Sequence, residues 1–100
     1  MKDTAIIQGR YSIMQFQGAV IKEQGVTFGI VIVKSHLLND PTRREAVISQ
    51  VSQLFGGIPT ILMAQDHAGT PRYFGRSDIV RFMASVPLGA IAWKRYTIST

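Results

Sequence analysis

Cysteine is missing altogether from this 100-residue chain. That excludes disulfides, thiolate nucleophiles and cysteine-based zinc sites, and it makes a cytoplasmic setting the expectation. Charge is also sparse, with 17% of residues Asp, Glu, Lys or Arg, against roughly 25% in an ordinary soluble domain. Acids are the scarcer kind, six against eleven Lys and Arg, for a net charge of +5. No apolar run approaches the ~20 residues that span a bilayer, so no membrane partner is expected. The opening residues, MKDTAIIQGRYS, carry an acid where a secretory leader would be basic and lack a continuous apolar stretch, which reads as mature structure. No repeat, linker or low-complexity segment interrupts the chain, and two cores would each be marginal at this length, so residues 1–100 read as one domain.

Apolar residues are what the chain has in excess, at 46%. A small domain has a high surface-to-volume ratio and should need more charge, so this excess points to apolar surface meeting a second copy. A homo-oligomer is the expectation. The basic balance adds a preference for anionic partners such as nucleotides, nucleic acid or acidic proteins.

Residues 11–34 begin with alternating apolar and polar positions, turn at Glu23, Gln24 and Gly25, and continue as VTFGIVIVK. Val26, Phe28, Ile30 and Ile32 face one way and Val31 and Val33 the other, the pattern of a strand covered on both faces. Gly29 in mid-strand signals a bulge or the close approach of another chain. Asp40 and Pro41 read as an N-cap and first helical residue. Ala46, Val47, Ile48, Val51, Leu54 and Phe55 then recur at helical spacing up to Gly56 and Gly57, while Arg43, Arg44, Glu45, Gln50 and Gln53 mark the outer face. TILMAQD reads as a strand, RYFG as its antiparallel return, Ser77 as the cap of a second helix ending near Val86 before Pro87, and AIAWKRYTI as a final strand. The order ββ-α-ββ-α-β predicts an α+β domain with a mainly antiparallel sheet and two helices packed on one face.

The densest gathering of chemistry is MAQDHAGTPRYFGRSDIVRFM, residues 63–83. Arg72, Arg76 and Arg81 gather around the expected start of the second helix, where free N–H groups favour an anion. Tyr73 supplies a stacking ring, and Asp78 a carboxylate that repels phosphate but accepts from a hydroxyl. These five are the candidate ligand-binding residues. The competing reading is a hairpin turned at Gly69, a helix capped by Ser77 and Asp78, and solvated arginines.

Residues 56–83 also resemble the second half of a cystathionine-β-synthase-type repeat, on Asp66, Gly69, Gly75 and Asp78. The resemblance covers about a third of the chain and implies a ribose contact at Asp78. The chain departs from that pattern in lacking its threonine, in the short spacing from Gly75 to Asp78, and in its N-terminal hairpin and C-terminal strand.

Metal and catalytic chemistry find little support. His36 and His67 are far apart, with no H-x-H or H-x-x-x-H spacing, so no metal or cofactor is expected. Of the acids, Asp40, Asp66 and Asp78 have structural roles as caps or turn residues, and neither a Gly-x-Ser-x-Gly elbow nor a glycine-rich phosphate loop is present. The expected function is therefore a non-catalytic, homo-oligomeric binding module for a small anionic or planar molecule. An adaptor acting through protein contacts is the first alternative. A nucleic-acid-binding module is the second, since Trp93, Lys94, Arg95 and Tyr96 interleave aromatics and cations, although strand periodicity sets the two rings on opposite faces.

Overall fold

A computed structural model of the chain describes residues 13–23 and 25–99; the reading of residues 1–12 and of Gln24 in the turn lies outside them. The elements are β1 (Ile13–Glu23), β2 (Val26–Ile32), α1 (Ser35–Leu38), α2 (Pro41–Leu54), β3 (Thr60–Gln65), β4 (Pro71–Phe74), α3 (Ser77–Met83) and β5 (Lys94–Ser99), with a 3-10 turn at Leu88–Ala90. All five strands join one sheet in the order β4-β3-β2-β1-β5.

The α+β class holds, but the sheet is mixed rather than mainly antiparallel. β2 and β3 run parallel, with Ile30 beside Ile61 and Val31 beside Leu62, whereas β1 with β2, β1 with β5 and β3 with β4 are antiparallel. The cause lies in the connection. A tight turn reverses a strand, but α2 carries the chain back along the sheet, so the next strand starts from the same end.

The two main helices also lie on opposite faces, not on one. Phe28, Ile30, Ile61 and Met63 pack with Ile79 and Met83 of α3. Val31, Leu62 and Ala64 pack on the other face with Leu38 of α1 and Val51 of α2. The central strands demand this arrangement: β3 is buried at every position from Thr60 to Ala64, and a strand apolar on both faces needs a cover on each. Most of the apolar excess is thereby absorbed inside the domain. Among the described residues only Val20, Val26 and Leu54 are exposed large hydrophobics, so composition ceases to argue for a partner.

α2 starts and stops as its sequence dictates. The Asp40 side chain accepts the Arg43 N–H at 3.1 Å, Pro41 occupies the first turn, and Gly56 follows the helix in the left-handed region at φ 88°. The close approach signalled by Gly29 is made by the chain's own Phe55, whose ring a Cβ at Gly29 would overlap. α3 differs from expectation at both ends. Arg76, not Ser77, is the N-cap, and no side chain caps the helix; the Arg76 carbonyl accepts the first helical bond, from the Val80 N–H at 3.0 Å. The helix ends at Met83. The final strand is shorter than expected too, because Leu88–Ala90 coil into the 3-10 turn and Trp93 N–H bonds the Ile91 carbonyl instead of a neighbouring strand.

Candidate functional site

The five residues expected to form one site are divided between two faces of the sheet. Successive residues of a strand point to opposite sides. Tyr73 therefore packs on the α3 side, and Arg72, like Phe74, points to the α1–α2 side. Arg76, Asp78 and Arg81 belong to the start and the exposed flank of α3.

The α3 group is largely self-satisfied. Arg76 donates to Asp78 through Nε at 2.7 Å and a terminal nitrogen at 2.9 Å. The hydrogen bond from Arg76 holds the Asp78 carboxyl below its usual range, and the same contact raises the guanidinium. Both side chains are more than half exposed, so the pair contributes little to stability. Burial raises the Tyr73 hydroxyl. Nearby, a groove of about 180 Å³ is lined by Glu23, Val26, Phe28, Asp78, Ile79 and Phe82. Its two carboxylates suit no anion.

Arg72 belongs to a different group. One of its terminal nitrogens reaches Asn39 Oδ1 at 3.4 Å. Asn39 closes α1 immediately before Asp40 opens α2. Arg44, expected on the solvated outer face of the helix, is half-buried at this junction. Its guanidinium carbon stands 4.0 Å over the Phe74 ring, and one terminal nitrogen donates to the Leu38 carbonyl at 2.8 Å. Arg44 Nε is buried and meets no protein acceptor among the described residues. Arg43 is exposed on the same first turn. Arg44 and Arg72 thus both bond to the end of α1, at Leu38 and Asn39, where α2 begins.

Arginines outnumber the capping carboxylate of Asp40 at this corner. Cations in a first helical turn oppose the positive end of the helix dipole. The Asp40 carboxylate caps the helix through the Arg43 N–H, and the ion pair among the described residues is Arg76 with Asp78. Sequence reading singled out Arg72 but missed its bond to Asn39 and the place of Arg44 at the same junction. The usable signal was the strand–helix–strand order, which makes β2 and β3 parallel and lays the helical connection over β3, close to β4.

Other candidates resolve simply. Trp93 packs on the α3 side and donates through Nε1 to the Leu88 carbonyl at 3.2 Å. Tyr96 lies on the opposite face, stacked on Phe16 at 5.3 Å and edge-on to Phe55 at 5.1 Å. The two rings share no stacking surface. Among the described residues no three His, Cys, Asp or Glu side chains gather as a metal site, and no helix is long and apolar enough to cross a membrane.

Compared with known proteins, the chain matches no family model, no curated protein and no solved structure. The likeness to a cystathionine-β-synthase-type half-repeat rests on the order β3–turn–β4–α3. Asp78, which that likeness marks for a ribose, is occupied by Arg76.

Proposed function

We propose that the protein is a non-catalytic, self-associating binding module whose ligand is a small anionic molecule held at the α1–α2 junction. The observation that carries this reading is that Arg44 and Arg72 both bond to the end of α1, with Arg43 exposed on the adjoining first turn of α2 and no carboxylate ion-paired to any of the three among the described residues. Arg43 and Arg72, both exposed, neutralise the anion. Arg44 holds the corner together through the Phe74 ring and the Leu38 carbonyl, while the amide of Asn39 orients polar edges. An anion bound here also relieves the unfavourable placement of cations at the positive end of α2. Of the residues first singled out, Arg72 belongs to this corner. Tyr73, Arg76, Asp78 and Arg81 form the comparison group.

Isothermal titration with inorganic phosphate and with a nucleoside monophosphate tests the reading. Saturable binding of at least one probe is expected. Arg43→Ala combined with Arg72→Ala weakens it by about tenfold or more, the loss of one or two charge-assisted hydrogen bonds; Arg76→Ala combined with Arg81→Ala leaves it unchanged. The reverse pattern moves the site to α3. No binding of either probe by the native protein ends the anion reading.

A further inference from the structure

The two ends of the sheet are finished differently. At one end, β4 has four residues and opens with Pro71, both of which blunt an edge against further pairing. At the other, β5 has six residues, KRYTIS, without proline. It pairs with β1 from Gly18 beside Lys94 to Ile13 beside Ser99, and among the described residues nothing pairs with its outer side. Free N–H and C=O groups along such an edge are a template for another strand.

We infer that β5 pairs with β5 of a second copy, antiparallel about a two-fold axis through Thr97, joining two five-stranded sheets into one. The inference rests on the self-associating part of the function proposed above and is independent of the ligand.

Backbone geometry and charge select this register. In an antiparallel pair only alternate residues turn their N–H and C=O groups outward. The outward set of one copy must meet the same set of the other, so one residue always faces itself across the axis. An axis at Arg95 sets two guanidinium groups face to face, which is destabilising. An axis at Tyr96 leaves them two residues out of step, about 7 Å along the strand. Centring on Thr97 separates them by four residues, about 13 Å, beyond the ~10 Å screening length at 0.1 M salt. Each Arg95 then stands opposite Ser99 of the partner subunit, and the overlap still runs from Arg95 to Ser99. Thr97 is exposed, and a Thr–Thr cross-strand pair is favourable.

The same distribution favours a second copy over a foreign acidic strand. Lys94 and Arg95 occupy one end of β5, and Tyr96 to Ser99 are neutral. An acidic strand would find its complement at that end alone. A copy running in the opposite direction meets each cationic end with a neutral one.

The absence of cysteine makes a clean test. Opposed residues of an antiparallel pair have Cα atoms about 4.5–5.5 Å apart, within disulfide reach. Thr97→Cys is therefore expected to give a covalent dimer on mild oxidation at low protein concentration, while Ser77→Cys, exposed on α3, forms no cross-link. In parallel, native mass spectrometry follows the non-covalent mass. The native protein and Thr97→Val are expected at an even number of chains. Thr97→Lys, which sets like charges opposite each other on the axis, is expected at the mass of one 11.1 kDa chain with its circular dichroism preserved. A native oligomer that persists in Thr97→Lys, with no cross-link through Thr97→Cys, overturns the β5 interface and leaves self-association standing. A native protein that is one chain at every concentration, again without the cross-link, overturns both. Should Thr97→Lys fail to fold, the cross-link alone decides.

Discussion

At the residue scale, Arg44 carries more than its place in the sequence suggests. Its outward helical spacing reads as solvent-facing, yet the side chain turns back to cover Phe74 and to reach the Leu38 carbonyl. A cation over an aromatic face contributes about 0.5–2 kcal/mol, and a hydrogen bond from a charged donor about 1.5–3 kcal/mol. Arg44→Met, which keeps an apolar stem over the ring, is expected to lower unfolding free energy by about 2 kcal/mol in a urea titration. Arg44→Lys should recover less than half of that, because an ammonium cannot stack flat and hydrogen-bond sideways together. Arg76 and Asp78 are the opposite case. They are two residues apart, both exposed, and they bind each other, an outcome that their proximity in sequence allows but does not require.

At the element scale, β2 is the strand whose character was legible in advance. Its two-sided apolar pattern was met by α3 on one face and α2 on the other. Gly29 was legible as a point of close approach, while the identity of the approaching group was not. Phe55 follows α2 and comes down onto the glycine, wedged edge-on against Tyr96. Gly29→Ala is expected to cost about 1–3 kcal/mol by overpacking. Adding Phe55→Leu, which removes the obstructing ring, should restore part of the loss, as measured by denaturant midpoints of the single and double variants. Residues 77–83 show the limit of local signals. Ser and Asp before an apolar run read as a cap, but the chain leaves β4 so tightly that helical geometry begins at Ser77 itself and Arg76 becomes the boundary.

At the scale of the whole molecule, two apolar clusters share one sheet. β2 and β3 contribute to both, so neither cluster survives without the other, and unfolding is expected to be a single transition. Trp93, the one tryptophan, reports on the α3 side, while Val51 is fully buried beneath α2 on the far side. Val51→Ala removes two buried carbons and should cost about 2 kcal/mol. The Trp93 fluorescence midpoint should fall together with the far-UV circular dichroism midpoint. Separate midpoints would mean that the two faces unfold independently.

The residues alone established the α+β class, the extent of α2, the hairpin of β1 and β2, and the return of β4 on β3, because each is written in contacts between near neighbours: caps, turns and periodicity. They also marked Arg72 as a candidate. The mixed sheet, the division of the helices between its faces and the meeting of Arg72 with Asn39 were decided only in three dimensions. Each joins segments some thirty residues apart in the chain, and their meeting depends on the direction in which α2 returns the chain across the sheet. The same folding hid most of the apolar excess beneath two layers of helix, and so moved the proposal of self-association from composition to the edge of β5, which no described strand pairs.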